Sequence, residues 1–141
     1  MARTKEIAER FAAVAGGAED PGLAEFFAPK VSVSHVYDDW DSPMETEGSA
    51  MAASSGADHR YFQQLMPDYE PRDLRIFVGD DGFAMTRTIT GTLASGTKVK
   101  YAYCAVVTVV DDKITRIMAY QDREMADGLS KAVQEVMVQS E

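Results

Sequence analysis

The sequence VSVSHVYDDW, residues 31–40, places a histidine on an otherwise apolar face. Side chains alternate between two faces in a β-strand, so Val31, Val33 and His35 would share one face of a buried strand. An imidazole titrates near neutral pH, and His35 could therefore take up and release a proton inside a cavity. The alternative is a buried, neutral imidazole that is satisfied by a backbone carbonyl or by one of the two aspartates that follow.

An arginine interrupts a second apolar face, in the sequence FAMTRTITGTL at residues 83–93. Arg87 shares this face with Met85 and Ile89, while threonines dominate the other face. Because an unpaired buried charge is costly, the guanidinium must either be paired or meet a cavity. It could orient an acid or stabilise an oxyanion. It could equally form a structural ion pair, for which Asp122 is a candidate.

Two further side chains could complete proton-transfer chemistry. Tyr103 could supply a phenol donor if the face that it shares with Tyr101 and Ala105 points inward. It could equally be a packed core aromatic. Asp122 directly precedes a predicted helix, and could either act as an acid or cap that helix by accepting a backbone N–H.

Several aromatic, leucine and methionine side chains could line an apolar pocket, because methionine adapts to irregular ligands. They could equally be ordinary core residues. His59, next to Asp58 on a predicted helix, is interpreted as a solvated or helix-end histidine. The candidate pocket residues are Tyr37, Trp40, Phe62, Leu65, Met66, Met85, Met118 and Tyr120.

The helices that must position these residues are predicted mainly in the first half of the chain. Apolar spacing predicts a helix over 4–15, with Thr4 as its N-cap and Gly16-Gly17 at its end. Shorter helices are predicted at 19–27, opened by Asp20-Pro21, and at 57–66, stopped by Pro67. A last helix is predicted over 123–137, and residues 38–50 are predicted to be an acidic, turn-rich segment.

Long alternating strands dominate the second half. The sequence predicts strands at 72–79, 83–93, 98–110 and 113–121, with hairpin turns at 80–82 and 111–112. Helices followed by antiparallel strands favour an α+β fold in which helices pack on one face of a curved sheet.

The composition of the chain limits the classes of protein to which it can belong. A chain of 141 residues fits one domain, residues 1–141, and has an ordinary globular composition. A formal net charge of -9 argues against binding of nucleic acid or an anionic membrane surface. The single cysteine excludes an intramolecular disulfide and disfavours a structural zinc site, and we expect no metal. The N-terminus has no apolar stretch typical of a signal peptide, so a cytoplasmic protein is expected.

Short motifs in a fixed order resemble the SnoaL-like family of the nuclear transport factor 2-like (ketosteroid isomerase-like) superfamily. The resemblance covers residues 5–130. The matching positions are Pro67, Gly79-Asp80, Ala84 with Arg87, Gly91-Thr92, Asp111-Asp112-Lys113-Ile114, and Tyr120 with Asp122. It implies a cone-shaped, cystatin-like roll: a curved, mixed but mostly antiparallel sheet wrapped around the N-terminal helices, with a C-terminal helix.

The resemblance also implies roles for the candidate residues. Ketosteroid isomerases place a carboxylate base at about the position of His35. SnoaL-like cyclases and limonene epoxide hydrolases have an acid at the position that Asp122 occupies here. The chain departs from these relatives, because Ile89 replaces the second acid of the hydrolases and Phe11 replaces a tyrosine of the isomerases. Neither chemistry is therefore supported as such.

The expected function is cofactor-independent proton transfer on a small, mostly apolar carbonyl compound, of the cyclase, isomerase or dehydratase type. His35 would move the proton, Asp122 or Tyr103 would be its acid partner, and Arg87 would hold the acid or the oxyanion. The alternative is a non-catalytic module of the same fold that binds a hydrophobic ligand or serves dimerisation. Relatives commonly pair through the exposed sheet face, so a homodimer is expected.

Overall fold

The computed structural model describes residues 3–35 and 43–121. Tyr37, Trp40, Asp122 and the helix predicted at 123–137 lie outside the described residues. Two α-helices, α1 (Thr4–Ala15) and α2 (Gly48–Leu65), and one 3-10 helix (Pro21–Phe26) precede the long hairpins. The strands are β1 (Phe27–His35), β2 (Met44–Glu47), β3 (Glu70–Gly79), β4 (Gly82–Thr92), β5 (Lys98–Val110) and β6 (Lys113–Gln121).

The six strands form one mixed sheet in the order β2-β1-β6-β5-β4-β3. β1 and β6 are parallel, and the other neighbouring strands are antiparallel. Helices α1 and α2 contact the sheet and each other. The predicted α+β class with a mixed, mostly antiparallel sheet is confirmed.

Strand register divides the sheet into an inner face, against the helices, and an outer face. One inner row across β4, β5, β6 and β1 consists of Phe83, Val107, Ile117 and Val33. The next inner row consists of Met85, Ala105, Ala119 and His35. The third contains Arg87, Tyr103 and Gln121. Most residues of the first two rows are buried against α1, which places the main core between that helix and the sheet.

A second, smaller core fixes the segment that follows α2. Met66 and Tyr69 pack with Ile89, Val99 and Tyr101. Gly91 permits this packing, because a Cβ atom there would lie 2.6 Å from Sδ of Met66. The carboxylate of Asp68 accepts hydrogen bonds from the backbone N–H and the hydroxyl of Thr92, at 2.7 and 2.8 Å. The segment that follows α2 is thereby tied to the end of β4.

Three sequence predictions are wrong. Thr4 is buried as the first residue of α1 and makes no capping bond, because the N-cap position belongs to Arg3. The helix predicted at 57–66 begins at Gly48, and β2 lies within the segment predicted as acidic turns. Gly48 makes the early helix start possible, since a Cβ atom there would meet the backbone oxygen of Ala28 at 1.9 Å.

Among the described residues, no helix combines the length and apolar character that a membrane crossing requires.

Candidate functional site

A small cavity of about 50 Å³ lies between the helices and the inner face of the sheet. The apolar lining residues come mainly from α1 and the core strands. The polar lining residues come from α2, β4 and β5. The lining residues are Phe11, Val14, Ala15, Leu23, Met51, Ser55, Asp58, His59, Met85, Arg87, Tyr103 and Ile117.

Arg87 is the central polar residue of this cavity and is only 8% exposed. Its Nη1 donates hydrogen bonds to the backbone oxygen of Ala15 at 3.1 Å and to the hydroxyl of Tyr69 at 3.4 Å. Its guanidinium carbon lies 5.0 Å from the ring centroid of Tyr103, its cross-strand partner. Buried Nε has no hydrogen-bond partner, and no carboxylate of the described residues forms an ion pair with Arg87.

The phenols around Arg87 remain protonated at neutral pH. Burial raises the pKa values of Tyr69 and Tyr103 above the usual value, although the positive charge of Arg87 opposes this effect. Burial raises the pKa of Tyr101 in the same way. Tyr103 lines the cavity and can therefore act there as a hydrogen-bond donor, but it is not a base at neutral pH.

Asp58 supplies the carboxyl group of the cavity. The surrounding protein raises its pKa to about 6, because a carboxylate is poorly solvated there, and nearby Arg87 partly opposes this rise. Asp58 is nevertheless an exposed residue of α2, so its carboxyl group lies at the cavity opening, where solvent limits the desolvation. An acid whose pKa is raised towards neutrality can both accept and return a proton under physiological conditions.

His59 follows Asp58 and lies at the same cavity. Its ring contacts the ring of Tyr69 edge-on, with centroids 5.3 Å apart. Its Nδ1 is buried and has no hydrogen-bond partner. A Cβ atom on Gly17 would lie 2.7 Å from Nε2, so the imidazole rests directly on the glycine backbone. The interpretation of His59 as a helix-end residue is therefore wrong, because it lies inside α2, and its imidazole is only partly exposed to solvent.

The register places His35 on the inner face of the sheet, paired with Ala119. The side chain is half-buried and has interactions of its own. It is not one of the described residues that line the cavity of Arg87 and Asp58. Tyr103, which lines the cavity, lies on β5, two strands away from β1 and His35. Because neighbouring strands lie about 4.8 Å apart, the backbones of β1 and β5 are separated by roughly 10 Å.

The other predicted site residues fall into three groups. Met85 lines the cavity together with Arg87 and Tyr103. Phe62, Leu65 and Met66 belong to the smaller core around Tyr69. Met118 and Tyr120 alternate with inner-face residues of β6 and so lie on the outer face, where Tyr120 is exposed. The structure therefore brings together Arg87, Tyr103 and Met85, but not the full predicted set.

Sequence reasoning missed Asp58, although a signal was present. Met51, Ser55 and Asp58 follow the i, i+4, i+7 spacing of one helix face, and all three line the cavity. With a helix predicted to begin at residue 57, Met51 and Ser55 lie outside the helix, so the shared face of the three residues cannot be recognised.

A larger cleft of about 490 Å³ opens on the helical side of the molecule, between the end of α1, the 3-10 helix and α2. Val14, Leu23 and His59 line both this cleft and the inner cavity. The two spaces therefore adjoin each other at these side chains. Residues 3–35 and 43–121 contain no group of three or more His, Cys, Asp or Glu side chains that could hold a metal ion.

The profile of the SnoaL-like domain family matches residues 8–117. This match spans most of the chain, and the protein therefore belongs to the SnoaL-like family, which confirms the resemblance inferred from its motifs. A search of curated protein sequences finds no match.

Solved structures confirm the fold. A provisionally named polyketide cyclase from Acidithiobacillus ferrooxidans is 20% identical and superimposes with a TM-score of 0.60, covering 92% of this chain and 96% of its own. A provisionally named SnoaL-like polyketide cyclase from Jannaschia sp. CCS1 is 18% identical, with a TM-score of 0.60 and coverage of 94% and 92%. A provisionally named isomerase from Bacillus subtilis is 14% identical, with a TM-score of 0.60 and coverage of 93% and 94%. At these identities the similarity concerns the fold alone.

Proposed function

We propose that the protein is an acid–base enzyme that moves a proton next to the carbonyl group of a small, mostly apolar compound, in an isomerisation, cyclisation or dehydration. One observation carries this proposal: Asp58, whose pKa is raised to about 6, lines the same cavity as a buried guanidinium with an unpartnered Nε. A base and an oxyanion donor facing one small space are the groups that enolisation requires.

Each group has one task in this mechanism. The Asp58 carboxylate removes a proton from the carbon next to the carbonyl, and the electron pair of the broken C–H bond moves to the carbonyl oxygen. Arg87 Nε–H donates to the resulting enolate oxygen, and the Tyr103 hydroxyl is a second donor. The protonated Asp58 then returns the proton to a different carbon as the carbonyl re-forms. In a dehydration it instead gives the proton to a β-hydroxyl group, which leaves as water while the enolate electrons form the C=C bond and restore the carbonyl.

Asp58 replaces His35 as the preferred base, because Asp58 lines the cavity and His35 does not. His35 remains a candidate for a second proton-transfer group on the same sheet face, and the role of Asp122 stays a prediction. Variants of Asp58 and His35 distinguish these assignments.

The direct test is proton exchange in D₂O. The enzyme should accelerate loss of the α-proton NMR signal of 1-indanone above the buffer rate. Asp58→Asn should lower this acceleration by about 100-fold or more, the usual contribution of a general base. Asp80→Asn, which alters an exposed hairpin carboxylate, is the matched control and should leave the rate unchanged. If Asp58→Asn keeps the wild-type rate while His35→Ala loses it, His35 is the base instead.

A non-catalytic binding module is the second candidate function, because the larger cleft lies outside the polar cavity. In that case 1-indanone would bind without any acceleration of exchange, and Asp58→Asn would not change its affinity. Isothermal titration of both proteins, combined with the exchange measurement, separates the two functions.

We further propose that two copies pair through the outer sheet face. Exposed Phe77, Val106 and Tyr120 lie on that face in neighbouring register rows, together with uncharged Ala84 and Cys104. In a chain of net charge -9, an apolar patch whose two register rows contain Arg75 but no carboxylate is where two copies can meet with least repulsion. Light scattering should give a dimer for the wild type and a monomer for Val106→Asp. A wild-type monomer would contradict the proposal.

A further inference from the structure

The inner cavity is too small for the substrate that the proposed function requires. A cavity of about 150 Å³ is known to hold one benzene molecule, and one water accounts for about 30 Å³ of liquid. A space of about 50 Å³ therefore accepts a carbonyl group and its nearest carbons, but no ring system. The remainder of any larger substrate must lie elsewhere.

The cleft on the helical side has the right size and position for that remainder. Its volume of about 490 Å³ falls within the range of about 300–1,000 Å³ found for small-molecule sites. It adjoins the inner cavity across Val14, Leu23 and His59. A ligand that lies in the cleft is therefore next to the cavity that Asp58 and Arg87 line.

The α2 wall of the cleft is built from small residues, which is why space remains between the helices. Ser49, Ala52, Ala53 and Gly56 follow the spacing of one helix face, and all four line the cleft. Opposite them, Val14 and Leu23 supply apolar surface.

The charges at the cleft disfavour an anionic ligand. Glu19 and Asp20 lie at its edge, and Arg60 is the one cation among its described lining residues. Asp20 is already engaged by Arg10, with which it forms two hydrogen bonds of 2.5 and 2.6 Å. With Asp20 paired, Glu19 and Arg60 balance each other, so the cleft suits an uncharged substrate, and the net charge of -9 for the whole chain disfavours phosphate esters and free carboxylates.

His59 stands at the boundary with an unsatisfied polar atom. Buried polar atoms are normally hydrogen-bonded, and a buried atom without a partner calls for an explanation. Nδ1 of His59 has no partner, and its ring packs on Tyr69, which accepts a hydrogen bond from Arg87. A polar group of a ligand that passes this boundary could satisfy Nδ1.

From these observations we infer that the cleft and the inner cavity are two compartments of one site. The cleft binds the uncharged, apolar body of the substrate, and the carbonyl end enters the inner cavity past His59. The inference rests on the proposed function and adds to it a division of the substrate between two spaces: a neutral apolar body larger than the inner cavity lies in the cleft, and only the carbonyl end lies beside Asp58 and Arg87.

Filling the cleft tests the inference. Ala53→Phe places a ring on the exposed cleft wall of α2, and Ala50→Phe places the same ring on the same helix away from the described cleft lining. Exchange of 1-indanone α-protons should fall about tenfold or more in Ala53→Phe. Exchange of acetone protons should change less than about twofold, since acetone does not need the cleft. Ala50→Phe should alter neither rate. Ser49→Leu is a second filling variant in case Ala53→Phe folds poorly.

The outcomes separate the two proposals. If Ala53→Phe and Ser49→Leu leave indanone exchange unchanged while Asp58→Asn abolishes it, the cleft inference is overturned and the acid–base function stands.

If the wild type exchanges neither ketone, the acid–base function fails, and ¹H–¹⁵N NMR with 1-indanone tests the cleft by itself. Shifts of the Ala53 and Gly56 amide signals that disappear in Ser49→Leu would support the cleft, and no shift at these signals would overturn it.

Discussion

The guanidinium of Arg87 on β4 reaches the backbone carbonyl of Ala15, the last residue of α1, with a hydrogen bond of 3.1 Å. The final carbonyl groups of a helix have no partner within the helix and carry partial negative charge. Arg87 thus satisfies one of these carbonyls and gains a partly negative partner without a carboxylate. The contact also ties the end of α1 to the sheet at the edge of the cavity.

This arrangement predicts that Arg87 contributes to function more than to stability. Arg87→Met keeps the length and apolar stem and removes a buried charge whose Nε has no partner. Replacement of a buried charge by an apolar side chain is close to neutral only when no partner is left unsatisfied, and here the Ala15 carbonyl loses its donor. We expect the free energy of unfolding in urea to fall by about 1–2 kcal/mol, while indanone exchange falls about 100-fold. Arg75→Met, on exposed β3, is the control. A loss of more than about 3 kcal/mol would show that Arg87 is chiefly structural.

Asp58 makes the stability depend on pH in a defined direction. Its pKa is raised from 3.8 in the unfolded chain to about 6 in the folded protein, so the folded state binds this proton more tightly. The carboxyl therefore favours folding most below pH 3.8, and this contribution is lost as the pH rises through about 6. Asp58→Asn should be more stable than the wild type at pH 7.5, and the difference should shrink towards pH 4.5. Urea unfolding at both pH values measures this.

The control for that experiment is Asp80→Asn, in an exposed hairpin. Its difference from the wild type should show no comparable dependence on pH. Equal stability of Asp58→Asn and the wild type at pH 7.5 would mean that solvent at the cavity opening cancels the desolvation of Asp58.

The strands were predictable because their side chains alternate over long stretches. β5 and β6 have the predicted bounds, and Arg87 and Tyr103 lie on the predicted inner faces. Most inner-face residues of β5 are valine or tyrosine, and this alternating signal depends on neighbouring residues alone.

Helix α2 was less predictable because its first half has almost no apolar stripe. Residues 48–56 are mainly Gly, Ser and Ala, and Met51 and Ala52 are the apolar residues there that pack on the main core. The helix start depends on Gly48 packing against Ala28, a contact between segments that are distant in sequence. Because the location of Asp58 depends on that helix, the candidate site was predicted only in its strand half, Arg87 and Tyr103.

Two glycines should respond to alanine in opposite directions. At Gly91 a Cβ atom would meet Sδ and Cβ of Met66 at 2.6 and 2.8 Å, and Met66 is fully buried. Gly91→Ala should therefore destabilise the protein by about 1–3 kcal/mol through overpacking. At Gly56, inside α2, nothing lies within 4 Å, so Gly56→Ala should stabilise it by roughly 0.5–1 kcal/mol. Urea unfolding at pH 7 measures both, and a destabilised Gly56→Ala would contradict the helix geometry.

Gly17 and His59 should be energetically coupled. Gly17 has a φ of +106°, and a Cβ atom there would also lie 2.7 Å from Nε2 of His59. Gly17→Ala should cost about 1–3 kcal/mol, part from backbone strain and part from displacement of the imidazole. In a His59→Ala background the steric part disappears, so the double-mutant cycle should give a coupling energy of at least about 0.5 kcal/mol. Additive costs would show that the imidazole leaves Gly17 freely, and that this glycine does not hold His59 at the boundary between cleft and cavity.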